Sequence, residues 1–137
     1  MRGATRAVDS SRSRDYLTKA ENSLRMAGIA LKEGAYDNAV MSSVHSAINS
    51  LDALTTSHLG KRSSGSHTDV ITLIKGIFTG KEHSDIAKQF TSLMSLKNTS
   101  EYQPDLMTRE DAEKSILKAE RIHARVKAKL EERKQRP

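Results

Sequence analysis

The stretch from Asp37 to Gly60 constrains the fold more than any other part of the chain. Val40, Val44, Ala47, Ile48, Leu51 and Leu54 recur mostly at steps of three and four, which draws one broad apolar face along a helix. Asp37 and Asn38 can start that helix and Gly60 can end it. Its ~22 residues span about 33 Å, enough to be the central strut of a bundle. Many of the remaining positions are small, among them Ala39, Ser42, Ser43, Ser46, Ser50 and Ala53. Small residues let neighbouring helices approach closely, so packing accounts for them without any chemistry.

The rest of the chain follows the same period. Tyr16, Ala20, Leu24, Ala27 and Leu31 predict a first helix from about Arg14 to Lys32, with Gly34 as its stop. His67 or Thr68 can cap a third helix through Val70, Ile71, Leu73, Ile74, Ile77 and Phe78, closing at Gly80. Ser84 then caps a fourth through Ile86, Phe90, Leu93, Met94 and Leu96. A polar, mixed-charge joint, Leu96 to Pro104, separates it from the last helix, because the residue before a proline disfavours the helical conformation. Thr108 with Asp111 three residues on resembles a capping box at the start of that last helix, which carries Ala112, Ile116, Ala119, Ile122 or His123, Val126 and Leu130. No strand-like alternation of period two appears. The expected fold is therefore all-α, an up-and-down helical bundle of about five helices, three long (first, second, last) and two short. Its expected organisation is a disordered or extended basic segment over residues 1–12, a helical domain over 13–133 and a frayed tail over 134–137.

Composition narrows the function classes. The 137 residues include no cysteine, which excludes disulfides and thiolate metal sites. No apolar run approaches the ~20 residues of a membrane span, and the basic start lacks a signal peptide's apolar core, so a soluble cytoplasmic protein is expected. The net charge of +6 sits at the two ends: four arginines against one aspartate over residues 1–14, and ten Lys or Arg against six Asp or Glu over residues 109–137. Such ends are either solvated tails or an electrostatic footprint for nucleic acid. Aromatic residues are only 4% of the chain, which supplies a base-stacking platform poorly.

Direct searches for chemistry find little. His45, His58, His67, His83 and His123 are never three or four residues apart, the spacing by which two ligands share a helix face, and no metal or other cofactor is expected. No strand exists on which to mount a nucleophilic serine. The run Lys61-Arg62-Ser63-Ser64-Gly65-Ser66 reads as a flexible Ser/Gly/basic loop, or as a loop able to hold an anion.

One succession carries more. Tyr36-Asp37-Asn38-Ala39-Val40, the helix bearing Ala47-Ile48, His67 opening the third helix, then Lys97-Asn98, Glu101-Tyr102 and Thr108-Arg109-Glu110-Asp111-Ala112 follow one another in an order and spacing that resembles the HEPN superfamily, over roughly residues 15–130. The resemblance implies an up-and-down helical bundle, commonly a homodimer, often encoded beside a nucleotidyltransferase partner in toxin–antitoxin or related defence systems. In the active branches an arginine, a polar residue, three variable residues and a histidine form a metal-independent RNA-cleaving motif that is brought together across the dimer. Here Lys97 falls at the arginine position, Asn98 at the polar one and Tyr102 at the histidine one. Lys97, Asn98, Tyr102, His67 and Arg109 are thus the candidate RNA- or nucleotide-binding residues.

Both reactive positions depart from that motif. A histidine with pKa near 6.5 can exchange the proton of an RNA 2′-hydroxyl at neutral pH, whereas a tyrosine near 10 is a poor base there. Lysine keeps a charge for phosphate but loses the planar fork of arginine. The expected function is a binder of RNA, nucleotide or a partner protein with little or no cleavage, the alternatives being a metal-independent endoribonuclease or a structural interaction domain. On the bland reading the three residues organise a turn, Asn98 and Lys97 at the helix end and Tyr102 packed on the bundle.

Overall fold

The computed structural model describes residues 5–64 and 67–134. Residues 1–4 of the basic start, Gly65 and Ser66 of the expected loop and residues 135–137 of the expected tail lie outside the described residues. Five helices form the domain: α1 (Ser13–Lys32), α2 (Tyr36–Leu59), α3 (His67–Leu73), α4 (Gly80–Tyr102) and α5 (Arg109–Lys134). Short 3-10 turns at Ser10–Arg12 and Ile74–Gly76 precede α1 and extend α3.

Helix α2 is the central strut that its apolar face implied. It packs on α1, α4 and α5, and its buried positions run from Ala39 to Thr56. Ala20 and Ala27 of α1 are fully buried against it, so that small residues meet small residues along the contact. Two hydroxyls fix the register: Ser46 Oγ donates to the Ala20 carbonyl and Ser13 Oγ to the Ala53 carbonyl, both at 2.8 Å. The larger side chains gather on the other side of α2, where Val44, Leu51 and Leu54 meet Ile74, Phe78, Ile86, Phe90, Leu93, Ile122 and Val126. Gly34 and Gly60 close α1 and α2 with φ of +76° and +66°, the left-handed region that a side chain disfavours.

The fourth helix departs from expectation at both ends and is long, 23 residues rather than a short segment. It begins at Gly80, so Ser84 lies within it instead of capping it. The polar joint is helical as far as Tyr102, because its side chains find partners there. Lys97 Nζ bonds Glu101 Oε2 at 3.1 Å one turn on, and Ser100 Oγ donates to Asp37 Oδ1 at 3.1 Å. The helix stops where the proline rule requires, at Gln103, whose extended φ and ψ of −110° and 147° precede Pro104. The third element is shorter than expected: α3 gives way after Leu73 to the 3-10 turn, which lets Ile74 and Phe78 both enter the core. At α5 the capping box forms, with Thr108 N–H donating to Asp111 Oδ2 at 2.9 Å and Asp111 N–H to Thr108 Oγ1 at 3.1 Å.

Two short strands also appear where the sequence suggested none. β1 (Thr5–Ala7) and β2 (Lys61–Ser63) pair antiparallel, Arg6 opposite Arg62, and Val8 N–H bonds the Gly60 carbonyl at 2.9 Å. The described part of the basic start is thus held against the chain leaving α2, and the expected flexible loop begins as a strand. Three residues per strand are too few for a period-two pattern to show. Among the described residues no helix is long and apolar enough to cross a membrane.

The α1–α2 contact carries a direct test. Ser46→Leu, which forces bulk into the seam, is expected to destabilise by about 1–3 kcal/mol or more, and Ser46→Ala by about 1 kcal/mol at most, because the Ala20 carbonyl loses one partner. Urea unfolding of the two variants checks the order.

Candidate nucleic-acid interface

The five candidate residues fall into two groups. Lys97, Asn98 and Tyr102 occupy the last turns of α4, and Arg109 the first turn of α5 across the connection. His67 opens α3 elsewhere on the bundle. At about 100° per residue, five residues along a helix turn through about 140° beyond a full circle, so Lys97 and Tyr102 face different directions within one chain. The Lys97 side chain is three-quarters buried, while Tyr102 is 74% exposed. Asn98 is exposed within the helix rather than at its cap, and Tyr102 projects from the bundle rather than packing on it. The helix is capped instead by Gln103, whose N–H donates to the Thr99 carbonyl at 3.0 Å.

Asp37 holds this corner together. Its carboxylate sits in the first turn of α2, where the helix dipole favours negative charge. Oδ1 accepts from Ser100 Oγ and from the Met107 amide at 3.2 Å, tying the end of α4 and the α4–α5 connection to α2. The electrostatics are less favourable to phosphate than the sequence suggested. Lys97 is paired with Glu101, and Arg109 with Glu113 at 3.7 Å. Asp37, Asp105, Glu110 and Asp111 add further negative charge around them.

His67 belongs to a different pocket. Its ring meets Phe90 edge-on at 6.3 Å between centroids, and with Asp52, Arg62, Ile48, Val70 and Met94 it lines a cavity of about 200 Å³. Phe90 and Met94 lie seven and three residues before Lys97, which places this cavity one to two turns along the same face of α4. Asp52 is 7% exposed, and burial pushes its carboxyl up to about 6, the nearby Arg62 guanidinium opposing the rise. Sequence reasoning missed Asp52. The available signal was its position four residues after Ile48, which places a carboxylate on an otherwise apolar face. A buried carboxyl beside a guanidinium and an imidazole is an arrangement able to read a polar ligand edge. Among the described residues no three His, Asp or Glu side chains converge as a metal set.

The HEPN domain matches residues 13–129, and the chain belongs to that family. A crystal structure of TT1696 from Thermus thermophilus shares the fold, with a TM-score of 0.70 and 22% identity over 86% of this chain and 98% of that one. No curated protein matches the sequence.

The raised Asp52 pKa makes a prediction about stability. A carboxyl that titrates near 4 when unfolded and near 6 when folded opposes folding increasingly as pH rises between those values, and fully above 6. Asp52→Asn is therefore expected to stabilise the protein by up to about 3 kcal/mol at pH 8 and by little at pH 4, measured by urea unfolding at the two pH values.

Proposed function

We propose that this HEPN domain is a binding module for RNA or nucleotide that cleaves little or not at all. The single observation that carries the reading is the state of Lys97 and Tyr102 on α4: the cation is already held by Glu101, and a solvent-exposed phenol stands where the active motif has its histidine. Together they offer a cation and an exposed aromatic ring to a nucleic acid. A phenol is in addition a weak base at neutral pH. Incubation with mixed structured and single-stranded RNA, without metal, is expected to leave the RNA intact and partly retained. Lys97→Ala is expected to weaken retention about three- to tenfold, the scale of one charge-assisted contact. Cleavage abolished by Tyr102→Phe would instead make the protein a nuclease.

The same corner supports a second role. Tyr102 and Leu106 are 74% and 81% exposed, four residues apart, a solvent-facing apolar pair suited to a second copy of the chain or a nucleotidyltransferase-type partner. The family resemblance implies a homodimer and a toxin–antitoxin or defence-like setting, and we place the contact at this pair in a cytoplasmic protein. Leu106→Asp is expected to convert a dimer to a monomer in size-exclusion chromatography with light scattering.

A further inference from the structure

Part of the basic excess at the two ends of the sequence converges in space, in Arg14, Lys127, Arg133 and Lys134. The start of α1 and the end of α5 meet beside the end of α2, and between them lies a groove of about 400 Å³. Among the described residues its charged lining is Arg14, Lys127, Arg133 and Lys134 against Glu131 alone. The groove is far from the α4–α5 corner: Asp37 anchors that corner and Ser57 lines the groove, and the 20 residues of α2 between them span about 30 Å.

What distinguishes the groove is the disposition of its cations. Elsewhere on α5, Arg125 and Lys129 face α4 and pair with Glu82 and Asp85, which consumes their charge within the bundle. Lys127, Glu131 and Lys134 are spaced four and three apart on another face, turned towards α1. Among the described residues Arg14, Lys127 and Arg133 make no ion pair, while Lys134 pairs with Glu131 at 3.8 Å, as long as the Arg125–Asp85 contact. At the corner, by contrast, both candidate cations are paired and carboxylates outnumber them. The N-terminal end of α1 offsets only part of the negative ends of α2 and α5 here, so the groove's positive potential has to come from its side chains.

We propose that this groove binds the sugar–phosphate backbone of single-stranded nucleic acid, without reading its sequence. Phosphate oxygens take hydrogen bonds from Arg, Lys and Ser side chains, and Ser10 and Ser57 add hydroxyls to the cationic lining. Among the described residues no aromatic ring lines the groove, so they offer no base stacking and no means of preferring one base to another. An anionic membrane surface would need an exposed apolar anchor, whereas the leucines here, Leu17 and Leu130, are packed into the bundle. The proposal rests on the nucleic-acid reading above and moves most of the affinity to the opposite end of the molecule.

The test is fluorescence anisotropy of labelled U20 and dT20 with the full chain between 50 and 200 mM salt, alongside Lys127→Glu with Arg133→Glu, Glu131→Gln, and Lys97→Ala. Three to four neutralised phosphates give a slope of log affinity on log salt of about −2 to −3, so wild type is expected to weaken roughly twentyfold or more over that range. U20 and dT20 are expected to bind alike. The double reversal is expected to weaken binding at least tenfold and flatten the slope, and Glu131→Gln to tighten binding severalfold, a gain that misfolding cannot produce. Unchanged affinity and slope in the double reversal overturn the groove, as does the absence of any binding by wild type. The corner is read separately from Lys97→Ala: weakening there with an unaffected double reversal upholds the corner and sinks the groove, and the converse does the opposite. Binding to phosphatidylserine vesicles but to neither oligonucleotide would overturn the proposal in favour of a membrane surface.

Discussion

Between Ala39 and Thr56, thirteen residues of α2 are buried, and six of them, Ser43, Ser46, Ser50, Asp52, Thr55 and Thr56, carry a hydroxyl or a carboxyl. Burying such groups is costly unless they find partners, which constrains what can lie on either side of the helix. Ser43 and Thr55 turn back onto their own helix, donating to the Ala39 and Asp52 carbonyls. Ser46 reaches across to Ala20, and Ser13 reaches back to Ala53. Because those two bonds lie seven residues apart on each helix, sliding α1 along α2 would break both at once. Alanine on the facing surface of α1 makes the required approach possible.

With α1 fixed in this way, the two ends of the bundle take on different characters. At one end Asp37 gathers the end of α4 and the last part of the α4–α5 connection, and the cations there are matched or exceeded by acids. At the other end the start of α1, the end of α2 and the end of α5 come together with cations that outnumber their counter-charges. The contrast follows from helix phase. Arg125 and Lys129 of α5 share a face that meets Glu82 and Asp85, while Lys127, between them in sequence, points elsewhere.

The cavity beside His67 differs from both. Asp52 lies one turn after Ile48 on a face that otherwise serves the core, and Arg62 reaches it because β2 leaves α2 immediately after Gly60. The small sheet therefore has a structural consequence out of proportion to its size. Pairing of Thr5–Ala7 with Lys61–Ser63 fixes the strand on which Arg62 sits, next to a carboxyl whose ionisation is otherwise opposed by burial.

The period of apolar residues determined the class, the number of helices and the position of α2 at the centre, because a 3.6-residue stripe records which side of a helix leaves water. Gly34, Gly60 and the Thr108–Asp111 box marked ends correctly, since caps are local chemistry written in a few adjacent residues. The family was legible in the order of its short motifs. The length of α4 was not, because the Lys97–Glu101 pair and the Asp37–Ser100 bond that keep its last turns helical depend partly on a residue 63 positions away. Nor were the strands, which are too short to carry a period, or Asp52, whose burial depends on elements the helix itself does not specify. Which charges are spent inside the bundle and which remain for a ligand was decided by tertiary structure alone. Linear sequence counts charges, but only the packing of α1, α4 and α5 around α2 determines their neighbours.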